Sequence, residues 1–197
     1  MSQTEHRIEY DEHQADLAAA RHEEAREKFG GLNIGAAFFG WLVSMGLAVI
    51  LTGIVGAVLA AVGSSANVSQ TDAERQAGTI GVAGGIVLVA VLLIAYYTGG
   101  YVAGRMSRFD GARQGLGVWT VGLVVTLVAV GLGVVFGAQY NILDRVSLPR
   151  IPVPTDQLTT GGAVTAVAVL VGTFLAALVG GKVGHRYHNR VDRTAYR

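Results

Sequence analysis

Four long apolar runs, separated by shorter polar stretches, dominate the chain. The runs cover residues 34–62, 79–104, 116–138 and 163–183, and they contain no charged residue and no His before Lys182. At a rise of about 1.5 Å per residue, each run reaches or exceeds the bilayer's hydrocarbon core of about 30 Å. The pattern predicts an all-α membrane protein whose four transmembrane helices form two hairpins.

A polar segment, residues 1–33, precedes the first run. It holds four basic and eight acidic residues, a net charge of −4. Glu24 and Lys28 are spaced as an i,i+4 ion pair, and Gly30-Gly31 is a helix stop signal. We predict an exposed cytoplasmic helix from about residue 11 to residue 29. The segment is not a signal peptide, because its start is acidic and the apolar run after it exceeds the usual 7 to 15 residues or so.

Lys and Arg are distributed unequally between the two sides of the predicted transmembrane domain. Twelve lie on the side of both termini, and only Arg75, Arg145 and Arg150 lie on the other. Cytoplasmic loops carry the excess of Lys and Arg in membrane proteins. We therefore expect both termini, including a basic tail at 184–197, to be cytoplasmic.

The connection between the second and third runs, residues 98–115, is short and basic. Each cation near a membrane surface is attracted to anionic lipid by about 1 kcal/mol. The predicted anionic-lipid contacts are Arg105, Arg108, Arg113, Lys182, Arg186, Arg190 and Arg193. Ordinary enrichment of basic residues on the cytoplasmic side explains the same pattern. A third interpretation is that the acidic N-terminal helix folds back onto this surface, in a contact that salt would weaken.

Small residues recur at helical spacing within the runs. Helices in lipid associate largely through close van der Waals contact, which small side chains permit. The predicted helix-packing positions are Ala168, Gly172, Ala176, Gly180 and Gly184 on the fourth helix, and Gly81, Gly85, Gly100 and Gly104 on the second. The spacing does not distinguish packing within one subunit from packing between subunits.

The C-terminal ends of the second and fourth predicted helices are also similar in sequence. Residues 99–105 align without gaps with residues 180–186, sharing Gly, Gly, Val and Arg. A parallel duplication of two hairpins explains this alignment. A common requirement for small residues and an arginine at a helix exit explains it equally well.

No catalytic, metal-binding or phosphate-binding motif is evident. The chain has no Cys, which excludes thiol catalysis and cysteine metal sites. His185, His188 and Asp192 are spaced for one helix face, but the arginines among them oppose cation binding. Ionisable residues inside a membrane mark proton relays and substrate paths, and the runs have none before Lys182. We predict that the protein is not an enzyme and has no catalytic residue, cofactor, metal or nucleic-acid partner.

Hydroxyl groups are the remaining polar side chains of the later runs. We expect those of four threonines to bond to backbone carbonyls rather than to a substrate. The four are Thr120, Thr126, Thr165 and Thr173.

Several short segments resemble a known group of proteins. They are Lys28-Phe-Gly-Gly31, Ala37-Phe-Phe-Gly-Trp-Leu42, Gly99-Gly-Tyr-Val-Ala-Gly-Arg105, Arg108-Phe-Asp-Gly-Ala-Arg-Gln-Gly115 and Arg186-Tyr-His188 with Val191-Asp-Arg193. The chain resembles a family of uncharacterised four-helix integral membrane proteins of bacteria, mostly actinobacteria. The resemblance implies four helices in the bacterial cytoplasmic membrane. It implies no active site, cofactor or protein partner.

Three functions agree with these patterns. The leading hypothesis is a structural or envelope-stress scaffold that self-associates in the bilayer through small-residue helix faces. The first alternative is a passive pore or transport component lined by hydroxyl and glycine positions. The second is a membrane adaptor that recruits cytoplasmic partners through residues 1–33.

Overall fold

The computed structural model describes residues 3–65, 75, 77–107, 109–140 and 155–195. The helices are α1 (Gln3–Phe29), α2 (Ile34–Ser65), α3 (Ala77–Met106), α4 (Gly111–Tyr140) and α5 (Thr155–Ala195), and the described ranges contain no strand. Each of α2 to α5 is long and apolar enough to cross a membrane. The predicted fold class, an all-α protein with four candidate membrane spans, is confirmed.

The helices extend beyond the predicted runs. α1 starts at Gln3 rather than near residue 11, and α5 continues to Ala195 instead of giving way to a tail at residue 184. Only residues 107–110 separate α3 from α4. An apolar run ends at the membrane surface, but the helix can continue into water, because Arg, Lys, Glu and Gln are good helix formers. The apolar runs therefore underestimate the helices.

α2 to α5 form an up-and-down bundle in which α3 and α5 run parallel. α3 contacts α2, α4 and α5, and α4 also contacts α2 and α5. α2 and α5 do not touch among the described residues, nor does α1 contact another helix there. α3 and α4 thus separate the two outer helices.

One end of the bundle is closely packed, and we call it the packed pole: residues 30–44, 97–118 and 173–186. A buried core cluster lies at this pole and one residue beyond it: Tyr96, Ala103, Val118 and Ala177. Beside the cluster, the Trp119 indole Nε1 donates a hydrogen bond to Thr173 Oγ1 over 3.2 Å. The helices converge here without any charged residue in the core cluster.

The opposite end is open, and we call it the open half: residues 53–62, 81–86, 124–136 and 161–168. Residues 124–136 of α4 are exposed at every position. At about 3.6 residues per turn, this stretch has exposed residues on every side of the helix. A Cβ placed on Gly131 or Gly133 would meet nothing within 4 Å. The helices therefore converge at one pole and separate toward the other.

Candidate functional site

A fully buried glutamine joins two turns at the packed pole. Gln114, in the first turn of α4, is 0% exposed. Its Nε2 donates to the carbonyl oxygen of Gly31 over 2.7 Å and to Ser107 Oγ over 3.2 Å. Its Oε1 accepts from the backbone N–H of Asn33 over 3.1 Å. One side chain thus connects the α1–α2 linker to the α3–α4 turn.

The two turns also meet through Asp110. Its Oδ2 accepts from the backbone N–H of Gly31 over 3.1 Å and from Arg113 Nη1 over 3.3 Å. Asp110 has φ 56° and Gly31 has φ 100°. Asp is among the few non-glycine residues that tolerate the left-handed region, whereas a φ near 100° favours glycine. Both partners in this contact therefore hold conformations that few other residues would accept.

Asn33 and Ser107 complete the arrangement. Asn33 Oδ1 accepts from the backbone N–H of Ala36 over 3.0 Å, so Asn33 is the N-cap of α2. Ser107 Oγ donates to the carbonyl oxygen of Phe109 over 2.8 Å. We call this set the clamp: Gly31, Asn33, Ser107, Asp110 and Gln114. It fixes the starts of α2 and α4 to each other at the point where α1 joins the bundle.

The clamp positions chain segments rather than reacting. The Gln114 amide uses both donor nitrogen and acceptor oxygen on neighbours in the chain, as burial of an amide requires. Within the residues that the structure describes, no group of three or more His, Asp or Glu is placed to hold a metal ion. The geometry of the clamp therefore supports a mechanical role, which is to set the place where the polar helix α1 leaves the bundle.

Four of the predicted packing glycines lie where α3 and α5 touch. A Cβ on Gly100 would overlap the carbonyl oxygen of Ala177, and one on Gly104 would overlap that of Gly181. In return, a Cβ on Gly180 or Gly184 would overlap a carbonyl oxygen of α3. The contact is reciprocal and joins backbone to backbone. It forms within one subunit.

The other predicted packing positions divide between the two ends of the bundle. A Cβ on Gly172 would lie 2.8 Å from Leu93 Cδ2, and Ala176 packs against the core cluster. A Cβ on Gly85 would lie 3.6 Å from Thr165 Oγ1. A Cβ on Gly81 would meet nothing within 4 Å, and Ala168 is exposed. These last two lie in the open half, where the helices are too far apart for small residues to matter within one chain.

The packing of α3 and α5 can be compared with the sequence similarity between residues 99–105 and residues 180–186. The gapless alignment of 99–105 with 180–186 pairs Gly99 with Gly180. A Cβ on Gly99 would overlap the carbonyl oxygen of Gly40 in α2, whereas one on Gly180 would overlap that of Tyr97 in α3. α3 touches α4, but α2 does not touch α5 among the described residues. The aligned residues therefore do not occupy equivalent places in the packing.

The predicted lipid-contacting cations fall in different surroundings. Lys182 and Arg186 are exposed on α5. Arg113 is exposed and paired with Asp110, whereas the guanidinium carbon of half-buried Arg105 lies 6.0 Å from the centre of the Tyr101 ring. Arg108 lies outside the described residues, as do the side chains of Arg190 and Arg193, whose backbone belongs to α5. Contact with anionic lipid stays a prediction.

Three of the four threonine hydroxyls are placed as predicted. Each donates to the carbonyl oxygen four residues earlier in its own helix: Thr120 to Leu116, Thr126 to Gly122 and Thr173 to Val169. Such bonds satisfy the hydroxyl inside the helix and leave it little capacity for a ligand.

Sequence analysis did not identify the clamp. Its partners are some 80 positions apart, as with Gln114 and Gly31, so no local pattern reveals them. Two local signals were present. An Asn before an apolar run is a helix N-cap candidate, and Asp-Gly at 110–111 is a turn signal.

No known family, curated protein or solved structure matches the chain. The resemblance to the four-helix bacterial membrane proteins therefore stays a prediction.

We expect Gln114→Leu to lower the free energy of unfolding by about 2 to 4 kcal/mol, because it leaves buried donors and acceptors of three residues without partners. Arg113→Met, at the preceding residue, is the matched control. It removes an exposed ion pair and should cost less than about 1 kcal/mol. Denaturant unfolding in lipid nanodiscs measures both. Equal losses would show that the clamp contributes no more than a surface contact.

We expect Gly100→Ala to destabilise the bundle by about 1 to 3 kcal/mol, because its Cβ forces the α3 and α5 backbones apart. Gly131→Ala is the same substitution where a Cβ meets nothing. It should be neutral or slightly stabilising, since Ala is the better helix former. Thermal unfolding in the same nanodiscs compares the two, and a stable Gly100→Ala variant would contradict the packing described here.

Proposed function

We propose that this protein is a non-enzymatic structural scaffold of the bacterial cytoplasmic membrane, with both termini cytoplasmic, and that its copies associate through the open half. The four apolar helices are compatible with a multi-pass membrane protein. The observation that carries the proposal is the exposure of α4 over residues 124–136, where every residue is exposed.

Glycine in this stretch argues for a partner beyond lipid. In a helix interior Gly is about 1 kcal/mol less favourable than Ala, and lipid tails have no need of a small residue. Ala129 and Gly133 on α4 share the four-residue spacing of Gly53 and Ala57 on α2. A Cβ on Gly53 or Gly133 would meet nothing within 4 Å. These faces suit a close approach by another copy, whereas the glycines of the packed pole are already used within the subunit.

An adaptor is the second candidate function, and the clamp favours it. A bundle that only had to sit in lipid would not require a buried amide to hold the α1–α2 linker. The clamp gives α1 a defined point of exit, which suits a helix that recruits cytoplasmic partners. The pore hypothesis has less support, because the hydroxyls of Thr120, Thr126 and Thr173 bond within their own helices.

Single-cysteine cross-linking tests self-association cleanly, because the chain has no Cys of its own. In native membranes under oxidation, we expect Gly133→Cys to form disulfide-linked dimers. Met106→Cys, at an exposed position of the packed pole, should remain monomeric. Monomers at Gly133→Cys and at Gly53→Cys would contradict association through the open half.

A bulky substitution supplies the converse test. We expect Gly133→Leu to weaken association about tenfold, because it blocks the close approach of two backbones. Gly131→Leu alters a different face of the same helix and should leave association unchanged. Native mass spectrometry from lipid nanodiscs gives the copy number of each variant. Equal copy numbers for wild type and both variants would show that this face is not the interface.

A further inference from the structure

Helix α1 carries four exposed acidic residues on one side. Its backbone is continuous from Gln3 to Phe29, and Glu12, Asp16, Glu23 and Glu27 are all exposed. Their spacing of four, seven and four residues places them within about 60° of one another on the helix. We call these four residues the acidic face. Arg21 and Lys28 occupy positions about opposite to it.

Helix α5 carries a matching basic side beyond the bundle. Lys182 and Arg186 are exposed, and positions 190 and 193 continue the same register to within about 80°. We call Lys182, Arg186, Arg190 and Arg193 the basic face. Lys182 and Arg193 are as far apart along their helix as Asp16 and Glu27, about 16 Å.

The basic face points away from the subunit's own bundle. Gly180 and Gly184 lie against α3, and Gly181 lies against Gly111 of α4. Lys182 and Arg186 fall on the other side of α5, where they are exposed. These two cations therefore lie on the outer surface of the bundle.

The subunit's own α1 makes no contact with α5 in the described part of the chain. The clamp ties Gly31 and Asn33 to the start of α4, and Leu32 and Ala37 lie against Gly117. α2 does not touch α5, and α1 touches no other helix, in the described part of the chain. Copies inserted in one membrane share an orientation, so a neighbour's α1 leaves its bundle at the same level.

We propose that the acidic face of α1 docks along the basic face of α5 of a second copy of this chain. Opposite charges at matched spacing along two helices supply the complementarity. The α5 extension rises about 15 Å beyond His185, which lies level with Gly111. Its outer turns lie beyond the candidate membrane span, which ends at Arg186. The inference rests on the self-association proposed above and names a second contact for it.

Charge reversal in pairs of differently tagged chains tests this docking. One chain carries Glu23→Lys with Glu27→Lys, and the other carries Arg186→Glu with Arg190→Glu. Each variant alone brings like charges together, so we expect its self-association in native membranes to fall about tenfold at low salt. Co-expression of the two should restore cross-linking between the tags. Asp11→Lys with Glu24→Lys is the matched control, with the same change in net charge off the acidic face, and should associate like wild type.

Each other outcome overturns the docking in a distinguishable way. Loss in both single variants without restoration on co-expression would place the contact within one chain. Association that persists in every charge variant but fails in Gly133→Leu would leave the proposed scaffold intact and remove the docking. An effect of the α5 variant alone, abolished in vesicles without anionic lipid, would assign the basic face to lipid. A wild-type protein that is monomeric throughout would remove both proposals.

Discussion

The backbone contact between α3 and α5 is the constraint on which the bundle depends. The two parallel backbones come this close only where a Cβ is missing: one on Gly100 would overlap the carbonyl oxygen of Ala177, and one on Gly180 would overlap that of Tyr97. In lipid no hydrophobic force drives helices together, so dispersion at such short range must hold them. Because α3 also touches α2 and α4, its fixed position on α5 determines where the whole packed pole forms.

The clamp secures the ends of helices that this contact does not reach. α2 lacks a contact with α5 within the described residues, so its attachment depends on α3 and α4 alone. Gln114 strengthens this attachment by bonding to Gly31, Asn33 and Ser107 from a buried position. A buried amide is costly unless it is fully bonded, and here its bonds fix two turns at once. The consequence is a rigid pole from which α1 leaves at a defined place.

Sequence alone predicted the elements far better than their contacts. Uncharged runs identify the helices because a charge in the bilayer is costly, but they do not mark where a helix ends in water, and α5 runs on to Ala195. Gly81 and Gly100 belong to the same kind of spacing pattern, yet only Gly100 meets another backbone. The difference depends on how far the helices have diverged at each level. The partners of Gln114 are likewise brought together only by the fold.

Confinement to a membrane changes how strong a polar contact between copies must be. An exposed ion pair contributes about 0 to 1 kcal/mol, so four such pairs would hold two free helices only weakly. In the association proposed above, copies that touch through the open half would present α1 and the α5 extension to each other at a high effective concentration, and the second contact would then form without the full entropic cost of association. A weak, salt-sensitive contact at one pole and a close apolar contact at the other therefore reinforce each other. The rigid clamp supports this coupling, because a pole that moved freely would lower the effective concentration on which the charged helices depend.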